Sequence, residues 1–159
     1  MSGVAHELES EHHSIDDQLA EFVADLGEGK VSAEHFRAAS TELQHHIHVE
    51  EELLFPPLKA AGMIPPVLVM LREHGEIWDV LDVIERLLAD DQPDVPSLRQ
   101  QCERLTAQLE AHNMKEERIL YPSADSTLSP GDLDAVGQAL VDGDLPDGWR
   151  AEMASPPAG

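Results

Sequence analysis

The chain has 159 residues, 42% of them hydrophobic, which suits one domain with a continuous core. Its net charge of -22, from 32 acids against 10 bases, repels phosphate backbones and anionic lipid surfaces, so nucleic acid and membrane are excluded as partners and the acids read as a solvated surface. A single cysteine, Cys102, excludes an internal disulfide and a cysteine-rich zinc site and reads as a small core group.

No apolar run approaches the roughly 18 residues of a membrane span. The opening MSGVAHELESEHH has neither the basic region nor the apolar core of a signal peptide, so a cytoplasmic location is expected.

Breakers cut the chain at GEGK (27–30), FPPLKAAGMIPP (55–66), DDQPDVPS (90–97) and Pro122, leaving four long segments and a tail. Each segment is longer than a strand and lacks β-branched alternation, whereas apolar residues recur at steps of three and four, the stripe of a bundle helix. The first helix reads Ala5, Leu8, His12, Ile15, Leu19, Phe22 and Leu26, with Gly27 placed to close it in a left-handed conformation. The second follows an N-cap at Ser32 and reads Phe36, Ala39, Leu43, His46, Glu50 and Leu53. The third has Pro65 and Pro66 in its first turn and reads Val67, Met70, His74, Ile77, Leu81, Ile84 and Leu88. The fourth follows an N-cap at Ser97 and reads Cys102, Leu105, Leu109, His112, Glu116 and Ile119. Ser129, Pro130 and Asp132 can start a short further helix. The closing DGDLPDGWRAEMASPPAG is small, acidic and proline-containing, and is expected to be flexible except where Trp149 docks. The predicted fold is all-α: an up-down-up-down antiparallel four-helix bundle over 1–122, then a short C-terminal helix and acidic tail over 123–159.

Two stretches repeat one grammar. HHIHVEEELLFPP (45–57) and HNMKEERILYP (112–122) each carry a histidine, a glutamate four residues later, a second acid, an aliphatic, an aromatic and a proline. The spacing from His46 to Phe55 equals that from His112 to Tyr121. Of the nine histidines, His12, His46, His74 and His112 fall on the seams, whereas His6, His13, His35, His45 and His48 fall off them. His13 stays open as the alternative to His12, since a one-residue register error exchanges them. Helix lengths support the sorting: fourteen residues separate His12 from Leu26, and fourteen separate Ser32 from His46. At 1.5 Å per residue both rings of that hairpin lie about 21 Å from its connection. The second hairpin gives nearly equal counts, so four imidazoles meet in one layer with Glu50 and Glu116 a turn further on.

Buried imidazoles and carboxylates need partners, and a metal supplies them. Nitrogen and oxygen donors without thiolates suit iron, manganese or zinc and disfavour copper(I) and iron-sulfur clusters. Six side chains exceed the needs of one tetrahedral zinc and fit two metals, with each carboxylate spanning both. Glu51 and Glu117 either accept hydrogen bonds from ligand imidazoles and orient them, or are solvated helix-face acids.

From about Glu7 to Pro122 the chain resembles the hemerythrin-like (HHE) family, four-helix bundles with a non-heme di-iron centre. The resemblance rests on SEHHSIDDQL, HIHVEEELLFPPL, LREHGEIWDVL and LEAHNMKEERILYP, and is most specific in the two His-x-x-x-Glu-Glu motifs that close on Phe-Pro or Tyr-Pro. It implies an oxo- or hydroxo-bridged pair of iron ions held by His12, His46, Glu50, His74, His112 and Glu116, with Glu51, Glu117, Trp78 and Tyr121 as candidates for the layer around them. Oxygen-carrying hemerythrins have a second histidine on the third helix, one turn after the first, where this chain has Trp78. That substitution, which also serves core packing, weighs against a simple oxygen carrier. Ferritin-like di-iron proteins use Glu-x-x-His pairs, and Glu9–His12 and Glu42–His45 have that spacing, but His45 is off its seam and no long crossover connects the helices.

The resemblance implies either an enzyme that disproportionates hydrogen peroxide or reduces nitric oxide, or a binding module that senses or carries oxygen or nitric oxide or stores iron. A bundle with no functional metal is the remaining reading.

Overall fold

The seams become buried stripes in a computed structural model that describes residues 3–157; residues 1–2 of the predicted range 1–122 and residues 158–159 of the predicted range 123–159 lie outside it. The described residues form helices and no strand: α1 (Ala5–Gly27), α2 (Ala33–Val49), α3 (Phe55–Ala60), α4 (Ile64–Leu88), α5 (Val95–Lys115), α6 (Tyr121–Thr127) and α7 (Pro130–Asp142). Two π-helical turns, Glu50–Leu54 and Glu116–Leu120, join α2 to α3 and α5 to α6. α1 packs along α2 and α4 along α5, and the pairs meet through α1 with α5 and α2 with α4. No helix of the described residues is long and apolar enough to cross a membrane.

Each π turn begins at a seam glutamate and holds one extra residue, which rotates everything after it. The predicted seam positions Leu53 and Ile119 are therefore displaced. Leu54 and Leu120 are buried instead, and Ile119 is exposed. The turn also explains why the prolines do not stop these helices. Pro56 and Pro122 fall in the first turn after a π turn, where a missing N–H breaks no ladder bond, so the second motif runs past the expected break at Pro122 to Thr127.

Two predicted caps move. Gly29, not Gly27, takes the left-handed conformation (φ 77°), and Lys30 N–H closes on Asp25 O at 2.8 Å, so α1 runs through Gly27. α5 is capped by Asp94, whose carboxylate accepts from Ser97 N–H, because Pro96 takes the second helical position and moves the start three residues earlier. Ser32 holds its cap position without a side-chain bond, and Ser129 caps α7 by accepting from Asp132 N–H.

The apolar core is in two parts. One gathers Ile15 to Leu26 of α1, Phe36 to Ile47 of α2, Ile77 to Leu88 of α4 and Leu98 to Leu109 of α5, with Cys102 among them. The other gathers Leu8, Val49, Leu54 to Leu58, Val67 to Leu71, Leu120, Tyr121 and Ala124, covered by Val136 of α7. Between them lies the layer of buried polar side chains: His12, His46, Glu50, His74, His112 and Glu116. Beyond α7 the chain returns over α2 and α4. Trp149 meets Trp78 edge-on at 5.5 Å between ring centres, Arg150 binds Asp82 at 2.7 Å, and Ala151 is buried.

Candidate metal centre

Periodicity alone carries six polar side chains into the centre of the molecule, one from each seam and the two glutamates that open the π turns. The rings of His12 and His46 stand 4.9 Å apart, and those of His74 and His112 stand 4.8 Å apart. His13 is exposed, so the register places His12 inward. None of His6, His35, His45 and His48 enters the layer.

All four imidazoles are oriented the same way. Each directs Nδ1 at a carboxylate: His12 at Glu117 (2.8 Å), His46 at Glu11 (2.9 Å), His74 at Glu51 (2.8 Å) and His112 at Glu73 (3.0 Å). An ionised carboxylate only accepts, so Nδ1 carries the proton in every case. Nε2 is left facing the centre, the arrangement by which proteins prepare histidine to bind a metal.

Glu117 and Glu51 are thus hydrogen-bonded to buried rings rather than free on the helix face. Glu11 and Glu73 were missed. Their signal is the Glu-His pair shared by SEHH and LREHG, in which the acid precedes the seam histidine of its own helix and reaches the histidine of another.

The central atoms sort into two groups of potential ligands, Glu50 with His74, His112 and Glu116, and His12 with His46 and Glu116, each group lying within 4.8 Å. Glu50 spans them as well: Oε1 is 3.1 Å from His74 Nε2, and Oε2 is 3.4 Å from His46 Nε2. The halves differ at equivalent positions of the two motifs. Tyr121 brings its hydroxyl into the His12 half, 2.6 Å from Glu50 Oε2 and 3.0 Å from both Glu116 Oε1 and His12 Nε2. Phe55 has no hydroxyl and stacks on His74 at 5.4 Å.

In the His74 half, Glu50 Oε1 and His74 Nε2 approach to 3.1 Å without hydrogen-bond geometry, and they and Glu116 Oε2 are buried with no hydrogen-bond partner. Such atoms are costly unless something binds them, and a cation fits this set of donors. Trp78 is buried one turn after His74 and supplies packing where another histidine would have supplied nitrogen.

Charge balance makes the same point. Burial works against a charge on His46, His74 and His112, but the carboxylates around them prevail and raise all three; His112, beside Glu116 and Glu73, reaches about 10. Burial also opposes the charge on Glu116, yet His112 holds its carboxyl well below the ordinary range. The hydrogen bond from His112, aided by Lys115 against the cost of burial, lowers Glu73 to about 2. Burial and the carboxylates of Glu116 and Glu50 push the Tyr121 hydroxyl well above its usual value, so it stays protonated. Without a metal, protons on imidazoles balance the central acids; a divalent cation can replace them.

Sequence comparison agrees with the geometry. The profile of the hemerythrin HHE cation-binding domain matches residues 3–124. The chain belongs to the hemerythrin HHE family. Relatives of this hemerythrin-like chain include uncharacterized proteins of Mycobacterium tuberculosis and Mycobacterium bovis, each 28% identical over 142 residues, covering 86% of this chain and 83% of theirs. No solved structure matches it. Family and clusters together describe a metal-binding protein whose histidines and glutamates suit a metal centre.

Two clefts reach the outer acids. Glu117 and His12 line a groove of about 670 Å³ between α1 and α5. Glu51 lines a smaller one of about 410 Å³ with Glu52, Phe55, Lys59 and Glu152.

Proposed function

We propose that this is a non-heme di-iron protein acting on small oxygen or nitrogen species, by disproportionating hydrogen peroxide or reducing nitric oxide. The observation that carries the reading is the doubled donor set, two histidine pairs whose Nε2 atoms converge on two carboxylates that face both halves. The ligands on this reading are His12, His46, Glu50, His74, His112 and Glu116, set on an up-down-up-down four-helix bundle over 1–122 that 123–159 follows as an appendage.

Iron bound there would exchange electrons with the substrate, which balances by itself for peroxide disproportionation and draws on an external electron donor for nitric oxide reduction. The chain's own contribution is positional. Glu11, Glu51, Glu73 and Glu117 fix the rings and make them more basic ligands. Tyr121, held neutral 2.6 Å from Glu50, keeps a hydrogen-bond donor at the centre that fixes the Glu50 carboxylate. The two apolar cores on either side limit access by bulk water.

The test is metal content followed by turnover. Protein purified without added metal should hold about two irons per chain and break down peroxide, or nitric oxide when an external electron donor is supplied, and His46→Ala and Glu50→Ala should abolish both properties. An iron-loaded sample that turns over neither compound would defeat the enzymatic reading. Reversible oxygen or nitric oxide binding in that inactive sample would identify a carrier or sensor instead.

A further inference from the structure

The segment from Trp149 to Ser155 is tied to the metal centre as well as to the surface. Its backbone N–H at Glu152 donates to Glu51 Oε1 at 2.9 Å, and the other oxygen of that carboxylate accepts from His74 Nδ1 at 2.8 Å. Glu51 is therefore bound from both sides, by a ring inside and by the returning chain outside.

The segment is seated by several independent contacts. Trp149 Nε1 donates to Glu52, and Arg150 bridges Asp82 and the Ser155 carbonyl. Ser155 donates its N–H and its hydroxyl to the two oxygens of Asp79, each at 2.8 Å.

Gly75, the residue after His74, marks where the segment crosses α4. A Cβ there would sit inside the Met153 carbonyl, 2.5 Å from its carbon, so only glycine lets the returning chain lie this close. The matching carboxylate in the other half has no such cover: the Glu117 side chain is 34% exposed, against 5% for Glu51.

We infer that Trp149–Ser155 is a positioning strap, which uses the Glu152 N–H to lock Glu51 and through it sets the orientation and basicity of His74 toward a bound metal. This rests on the metal-centre reading. Because the strap acts on one half only, it makes the two metal positions unequal, with the His74 half the more rigidly prepared. Losing a ligand histidine's own hydrogen-bond partner costs 10- to 100-fold in metal affinity, and loosening the lock on that partner is expected at the lower end, about 10-fold.

The probe is cobalt(II), titrated into the full-length metal-free chain and followed by its visible absorption. Gly75→Ala lifts the strap at Met153, and Glu152→Pro deletes the donating N–H; Glu152→Ala keeps that N–H and serves as the control. The parent and Glu152→Ala should bind two ions with the same spectrum. Gly75→Ala and Glu152→Pro should bind one of the two about 10-fold or more weakly, with a changed absorption for that ion. If Gly75→Ala does not fold, Glu152→Pro against Glu152→Ala decides. Equal affinities and identical spectra in all four chains would overturn the inference, whereas a parent that binds no cobalt would remove the metal centre on which it depends.

Discussion

Replacing Tyr121 with phenylalanine deletes one oxygen from a fully buried ring and leaves the packing in place. That oxygen lies 2.6 Å from Glu50 Oε2, 3.0 Å from Glu116 Oε1 and from His12 Nε2, and 3.2 Å from His46 Nε2. A phenol carries one proton, and the shortest contact identifies Glu50 as its acceptor. The substitution therefore removes one hydrogen bond to a charged group, worth about 1.5–3 kcal/mol, and strands a buried carboxylate oxygen. In the metal-free chain the expected loss is about 2–3 kcal/mol, or about 4–12 °C in Tm for a chain of this length. Differential scanning calorimetry on chelator-treated parent and Tyr121→Phe measures it directly. The deficit should shrink once metal is restored, because a cation then satisfies the same oxygen. A metal-free Tyr121→Phe chain that melts within a degree of the parent would refute the hydrogen-bond assignment.

Chelation of the loaded chain should lower its stability by several kcal/mol, since six buried ligands lose their common partner; an unmoved thermal transition would contradict a resident metal. In chelated samples His112 titrates near 10 rather than at 6.5, so its contribution is complete below pH 6.5 and lost as pH rises through 10. The stability deficit of His112→Gln, measured by denaturant unfolding, should accordingly narrow over that interval, and a constant deficit would count against it. Burial raises the Cys102 thiol to about 11, so iodoacetamide at pH 8 should leave the folded chain unmodified and react only after denaturation. Leu105→Ala, at a fully buried position of the larger core, should cost about 2–5 kcal/mol in chemical denaturation; a loss under 1 kcal/mol would show that the core around it relaxes freely.

Helical periodicity sufficed to bring His12, His46, His74 and His112 together, because a seam residue has nowhere to point but inward. It located Glu50 and Glu116 for the same reason. It misjudged Leu53 and Ile119, since nothing in a three-and-four pattern announces the extra residue of a π turn, and it stopped the second motif at Pro122 on the same ground. Glu11 and Glu73 escaped because they lie on helix flanks, where an acid reads as solvated; only the neighbouring helix gives them a partner. The tail was the least legible part. Its composition singles out Trp149, but the contact that reaches the site is made by a backbone N–H, which every residue except proline possesses.

The polar layer has a consequence for how the molecule comes apart. Two apolar compartments joined through imidazoles and carboxylates resemble a hinge as much as a core, since the joint draws its cohesion from charge rather than from excluded water. With the ions in place both compartments are fastened to common atoms and should open together. Stripped of them, the end built from short helices α3, α6 and α7 can exchange its amides ahead of the long-helix end, so amide exchange rates would report how full the centre is.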